Sequence, residues 1–435
     1  MRNLVLSVKD SLLFKRTSLF LAVHRLSPFK LWSTIFQGRF ATNSDILEAP
    51  SSTHIKRKWR LPHCVLHTSY VVEQLYYFLT STKCSRGDLL NSRLPMILPE
   101  NDICKFVGFS AVRTGSAPVK MYGSPGHFEE FVQTLDDDDK SYMYSRFTDK
   151  VMVAGGTSAM FGNIRQMAEP NACKFTYDDM IEAINQRKHY FKLPHLGSLK
   201  NYELHGVRVN PEAYSGFVTS MCSGQLRRAS HQFSEVIAKL FFKRIKKKRV
   251  NSLDLWKFGT RPKANKLVSE DKPLKARPIA LCDDVLVKVG SITSQRIIDR
   301  LKFMDYSEIF IGKALTSTDM NYIKEQLVRD DVLYASPDWS QYDNYLYEEV
   351  MVTACSLLQQ CFDDDVEVRN YFHYITSSVV DKHIIIEPGA IYKLMKGLPS
   401  GHPFTALVNT VACWILWTTI FYKCSILSGI PLDER

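Results

Sequence analysis

The sequence predicts an α+β fold with more than one lobe, and three observations carry that expectation. At 435 residues there is chain enough for a sizeable core and a second lobe. Leu346, Val350, Ala354 and Leu357 recur at the spacing of one buried helix face. Two β-prone runs, 382–387 and 391–396, flank Pro388-Gly389-Ala390, the composition of a hairpin turn.

Taken in order, the C-terminal third reads strand, helix, helix, hairpin, loop, helix. Residues 332–336 form a short strand ended by Pro337, which puts Asp338 at its C-terminal end. Residues 344–360 form a helix with Asn344 as N-cap, and a further helix covers 366–379. After the hairpin comes a loop, 397–402, and Pro403 suits the first turn of the next helix. The run 404–422 is apolar enough for a membrane span, but Asn409, Thr410, Thr418 and Thr419 interrupt it. A buried helix is the better reading, with no stable membrane span. Upstream, Asp136 to Asp139 read as a solvated acidic loop.

Composition narrows the partners. With 45% hydrophobic and 23% charged residues the chain is an ordinary globular one rather than a disordered one. A net charge of +11 suits a polyanion such as RNA, and equally a basic surface with no specific partner. The ten cysteines contain no C-x-x-C and read as reduced thiols. His63, Cys64 and His67 lack a second half with metal-ligand spacing, so packing is the reading there. Residues 1–45 are basic and rich in Ser, Thr, Leu and Phe, the profile both of a mitochondrial presequence and of a basic arm lying on RNA. Lys243, Arg244, Lys246 and Lys247 lie in a second basic run, either a solvated helix end or an RNA contact.

Three constellations carry chemistry, at even spacing. Lys275 and Arg277 point to one side of a strand and can neutralise a triphosphate. Asp338 and Asp343 can face one cleft, one as a ligand of a hard cation such as Mg²⁺ or Mn²⁺ and the other as a ribose reader. Ser400, Gly401, Thr405 and Asn409 follow, with Thr405 and Asn409 four apart on one helix face. The Asn409 amide can both donate to and accept from a ribose 2′-hydroxyl. Gly401 offers backbone that can move near a nucleotide. Taken singly, each group is also explained by solvated charges or a satisfied core residue.

Together they resemble the motifs of viral RNA-dependent RNA polymerases. Lys275-Ala276-Arg277-Pro278-Ile279 resembles motif F, Asp338-Trp339-Ser340-Gln341-Tyr342-Asp343 motif A, and Ser400-Gly401 with Thr405 and Asn409 motif B. Tyr214-Ser215-Gly216-Phe217 resembles motif G at the template entry, which adds Ser215 and Gly216 as RNA-binding candidates. The style of motifs A and B is similar to that of partitivirus- and picobirnavirus-like enzymes within the picornavirus-like group. The resemblance implies a right-hand fold of fingers plus the first half of the palm, with the thumb absent. Residues 1–45 are then a basic arm or presequence, 46–330 fingers with an N-terminal extension, and 331–435 the N-terminal half of the palm. It also implies nucleotidyl transfer from NTPs to an RNA 3′ end, with Asp338 on the metal and an RNA template and product as partners.

The departure from the family is the missing motif C: no Gly-Asp-Asp occurs in the 435 residues, and motif D is missing too. The sequence therefore predicts a chain inactive alone, completed by a second polypeptide that carries motif C, motif D and thumb. The alternative is a non-catalytic RNA-binding remnant, truncated or endogenised. The expected location is host cytoplasm or virion, with mitochondria as the alternative that residues 1–45 leave open.

Overall fold

A computed structural model describes residues 98–109, 130–147, 150–152, 157–171, 175–189, 191–199, 204, 206–252, 254–261, 264–266, 277–304, 309, 311, 339, 341–386 and 390–429. The basic segment 1–45, the His63, Cys64 and His67 cluster, Lys275, the strand expected at 332–336, Asp338 and the turn residues 387–389 lie outside the described residues.

The architecture is α+β, as expected. Five strands form the main sheet: β1 (Cys104–Phe109), β3 (Leu255–Arg261), β5 (Arg277–Leu281), β6 (Lys382–Ile386) and β7 (Ala390–Leu394). Their order is β1-β7-β6-β3-β5, with β3 and β6 parallel and every other pair antiparallel. The predicted hairpin is β6 and β7, whose near-continuous apolar burial marks strands covered on both faces. β2 (Lys150–Met152) and β4 (Ala264–Lys266) make a separate two-stranded ribbon. β5, the strand expected to meet a triphosphate, lies at one edge of the main sheet and β1 at the other.

Helices cover this sheet. The ones used below are α1 (Asp137–Phe147), α2 (Thr157–Ala168), α3 (Tyr177–Arg187), α4 (Phe217–Cys222), α5 (Arg227–Lys247) and α6 (Asp284–Leu301). They continue with α7 (Tyr342–Tyr345), α8 (Glu348–Gln359), α9 (Val366–Val380) and α10 (Thr405–Ser428). Trp256, Tyr371, Phe372, Tyr374, Tyr392 and Phe404 are among the largest fully buried side chains. Full burial of an apolar side chain of this size stabilises by about 2–3 kcal/mol.

α6 is buried along most of its length, so its polar groups need internal partners. Its N-cap, Asp283, accepts from the Val285 N–H at 3.3 Å and from the Thr219 N–H at 2.8 Å. Asp284 is met by Arg227 at 3.1 Å and by Lys288 at 3.2 Å. The Tyr371 hydroxyl donates to the Val289 carbonyl at 2.9 Å, tying α9 to α6.

Three element expectations need correction. The acidic run opens α1: Asp137, Asp138 and Asp139 fill its first turn, where carboxylates oppose the positive end of the helix dipole. Asn344 is not an N-cap. It lies inside the short α7, its amide turned inward to Gln166 Oε1 at 3.2 Å, and the long helix restarts at Glu348 with Tyr347 as N-cap. The apolar run expected as a buried helix is α10, but only 39% of its most apolar 18-residue window is buried. It is also the one helix among the described residues long and apolar enough to cross a membrane. Pro403 sits just ahead of α10, within the usual uncertainty of a helix end.

Candidate active site

The loop before α10 is fastened to the edge of β5. Ser400 Oγ accepts from the Ala280 N–H at 3.1 Å, and Cys282 Sγ donates to the Gly401 carbonyl at 3.5 Å. A Cβ on Gly401 would lie 2.1 Å from the Ala280 carbonyl oxygen. Gly401 is thus required by a close approach of two backbones, not by freedom to move beside a nucleotide. Ser400 and Gly401 together seal an edge that would otherwise expose unpaired peptide groups.

The same loop is held from within by His402. His402 Nδ1 accepts from the Phe404 N–H at 3.0 Å, which leaves the proton on Nε2, and Nε2 lies 2.7 Å from Ser378 Oγ. The ring stacks on Trp256 at 5.8 Å. Burial, assisted by the Lys382 charge, pulls His402 down to about 3, so it serves as a neutral strut. Thr405 Oγ1 donates to the Pro399 carbonyl at 2.5 Å. Thr405 therefore uses its hydroxyl to close the loop, and of the expected helix-face pair only Asn409 keeps an uncommitted atom. Its Oδ1 is buried with no hydrogen-bond partner. A buried acceptor left unpaired costs roughly 1–3 kcal/mol unless a ligand supplies the donor.

Asp343 meets this loop through its backbone. The Asp343 carbonyl accepts from the Leu398 N–H at 2.7 Å, and the Leu346 carbonyl accepts from the Gly397 N–H at 2.8 Å. The Tyr342 hydroxyl donates to the Asn409 carbonyl at 3.2 Å. Burial raises the Tyr342 hydroxyl well above its ordinary value, so it remains a donor. Gln341 enters α7 with φ 53, a left-handed conformation that costs on the order of 1 kcal/mol for a residue with a Cβ. The side chain of Asp343 is exposed beside the loop.

A brace from α2 holds both segments. Lys396, 2% exposed, donates to the Glu169 carbonyl at 2.5 Å and lies 4.6 Å from the Tyr345 ring centroid. Burial brings its ammonium down to about 8. Asn171 Nδ2 donates to the Tyr345 carbonyl at 2.8 Å, and the Phe175 N–H to the Tyr347 hydroxyl at 2.9 Å. Gly397, at φ +82, has no room for a Cβ beside Met167. Sequence reasoning missed this brace because a lone Lys before a Gly-Leu-Pro run gives no sign that it is buried.

The remaining candidates divide. Arg277 opens β5 in register with Arg261 of β3, placing two arginines at one cross-strand position. Ser215 is fully buried; its hydroxyl donates to the Gly224 carbonyl at 2.5 Å and its own carbonyl accepts from the Asp284 N–H at 2.8 Å. Gly216, at φ 99, packs on Asp283 with no space for a Cβ. In the described structure both residues position α4 rather than present a surface. Within the basic run, Lys243 and Lys247 are exposed and Arg244 is partly so. Lys246 instead turns inward to Glu367 at 3.1 Å and the Leu199 carbonyl at 3.3 Å.

The donor set is compatible with a hard cation. Asp343 supplies an exposed carboxylate, and Mg²⁺ takes only one or two protein carboxylates beside water and phosphate. Among the described residues no group of three or more His, Cys, Asp and Glu is gathered.

Comparison with known proteins now adds to this geometry. A family model described as viral RNA-dependent RNA polymerase matches residues 302–427, the stretch that holds Asp338, Asp343 and the loop from Gly397 to Asn409. That stretch, Lys302 to Leu427, is similar to viral RNA-dependent RNA polymerases. The chain is 27% identical over 90 residues to the genome polyprotein of bovine enteric calicivirus Newbury agent-1, and 28% identical over 90 residues to that of bovine enteric calicivirus NB. These matches cover 20% of this chain and 4% of each polyprotein. Its fold is similar to a chain in the X-ray structure of the birnavirus VP1–VP3 complex, with a TM-score of 0.51 and 14% identity, over 80% of this chain and 55% of that one.

Proposed function

We propose that this chain forms the fingers and first half of the palm of an RNA-directed RNA polymerase, with 46–330 as fingers and 331–435 as palm. The observation that supports it is convergence. β5 and the Asp343 turn are far from the Gly397 to Asn409 segment in sequence, yet hydrogen bonds join both to it. In this reading Arg277 and Lys275 hold the triphosphate, Asp338 binds Mg²⁺, and Asp343 with Asn409 reads the ribose. The metal supplies charge neutralisation at the transferring phosphoryl group. The exposed Lys243 and Lys247, with Arg244, lie on RNA phosphates. The chain acts in host cytoplasm or virion.

No Gly-Asp-Asp lies within the 435 residues, so the remaining metal carboxylates come from outside them. The chain by itself is then inactive. The test is extension of an RNA primer on an RNA template with Mg²⁺, using this chain with and without the Gly-Asp-Asp polypeptide of the same genome. Template-dependent product only with both supports the reading. No product from the pair overturns it.

A further inference from the structure

We propose that Ser378 of α9 is a positioning residue for the polar face of α10, acting through His402. Its bearing on nucleotide selection rests on the polymerase reading above. What each atom can donate or accept fixes the direction of the contact. The Phe404 N–H can only donate, so His402 Nδ1, 3.0 Å away, carries no proton. The neutral ring bears its proton on Nε2 and donates it to Ser378 Oγ at 2.7 Å. The Ser378 hydroxyl sends its own proton to the Ile375 carbonyl at 2.7 Å. The relay therefore runs one way, from the Phe404 amide through the ring and the hydroxyl into α9. Its far end is firm. Ser378 is fully buried, and Lys382 Nζ closes the last turn of α9 by donating to the Val379 carbonyl at 2.9 Å and the Val380 carbonyl at 3.1 Å. The neighbouring Ser377 Oγ accepts from the Ser252 N–H at 3.0 Å, which ties the same turn to the chain entering β3. The Lys382 charge also opposes a second proton on His402, so the ring keeps the tautomer that Phe404 and Ser378 require.

At its near end the relay sets where α10 begins. Phe404 is the N-cap of α10, yet its side chain makes no capping hydrogen bond. The opening of the helix is held instead by His402: its ring takes the Phe404 N–H, and its carbonyl takes the Thr405 N–H at 3.0 Å. Asn409 follows on the same helix, with Oδ1 buried and uncommitted. A slip of the helix start by one residue swings each following side chain by about 100°. Ser378 thus governs the direction of Asn409 through a ring and a helix start.

The test uses the full 435-residue chain with isotope-labelled histidine. The buried His402 Nε2–H gives a slowly exchanging proton resonance, assigned by its loss in His402→Asn, whose side-chain oxygen keeps an acceptor for the Phe404 N–H. In Ser378→Ala that resonance is expected to shift or vanish, and amide exchange at Phe404 and Thr405 to rise about tenfold or more. Ser377→Ala, on the same turn, is expected to change Phe404 exchange less than threefold. In the His402→Asn background Ser378→Ala also changes it less than threefold, because no ring proton is left to lose its acceptor. Where Ser378→Ala does not fold, Ser378→Cys, a weaker acceptor of nearly the same size, is expected to move the resonance in the same direction. An unmoved resonance in a folded Ser378 variant overturns the proposal. So does an equal rise in exchange with and without His402, which is the result of a serine that only packs. RNA synthesis is scored separately. With an active complemented polymerase, Ser378→Ala should narrow the preference for ribonucleotides over 2′-deoxynucleotides at least threefold, and an unchanged preference overturns the link to Asn409. No synthesis from the native pair removes the polymerase reading and leaves the resonance and exchange results to decide the role of Ser378.

Discussion

At the level of single residues, the site depends on contacts that leave no slack. Gly401→Ala places a methyl group 2.1 Å from the Ala280 carbonyl, so β5 and the loop must part. The expected cost is about 3 kcal/mol or more, read as a lower urea midpoint. His402 adds a pH dependence. Its folded value of about 3 lies below the ordinary 6.5, so the unfolded chain takes up a proton that the folded chain refuses. Its stabilising effect is complete above about pH 6.5 and is lost as pH falls, by roughly 2 kcal/mol at pH 5. His402→Gln should flatten that part of a stability–pH curve; an unchanged slope would remove His402 as its source. Asn409 presents the one uncommitted polar atom of its helix-face pair. Asn409→Ala in the complemented polymerase should narrow the preference for ribonucleotides over 2′-deoxynucleotides by about tenfold or more. Unchanged discrimination would assign ribose reading elsewhere. Sequence showed Asn409 as a candidate because a polar residue in an apolar helix needs a partner. It did not show that Thr405, on the same face, already had one in Pro399.

At the level of elements, periodic and turn signals were the legible ones. The helix at 366–379, the hairpin and the apolar α10 could be read because burial imposes a period on the residues. The break between α7 and α8 could not, because it depends on Asn344 finding Gln166 and on the left-handed turn at Gln341, both tertiary outcomes. The α2 brace was hidden for the same reason. It couples the Asp343 turn to the Gly397 loop through Lys396, whose ammonium gives up solvation to meet the Glu169 carbonyl. Lys396→Met leaves that carbonyl unpaired at a cost of about 1–3 kcal/mol. Amide hydrogen exchange should then rise about tenfold in both 341–346 and 397–401, with Lys396→Arg restoring part of the protection. A rise confined to one of the two segments would show that they are not coupled.

At the level of the whole molecule, the order of the segments was legible and their meeting was not. Sequence spacing placed a basic strand, a carboxylate pair and a polar helix face in succession. Only the fold shows that one loop meets β5 through Ser400 and the Asp343 carbonyl through Leu398, while the Tyr342 hydroxyl separately reaches the Asn409 carbonyl of α10. The fold also shows that two predicted template contacts, Ser215 and Gly216, are interior supports, which no reading of Tyr-Ser-Gly-Phe alone reveals. We propose that this convergence belongs to a nucleotidyl-transfer site whose metal Asp338 holds. The most direct measurement is the rate of RNA primer extension in Mg²⁺ by the complemented chain, comparing native Asp338 with Asp338→Asn. A carboxylate that holds the metal at the transition state predicts a fall of at least about a hundredfold with the variant still folded. Equal rates for the two would contradict the account.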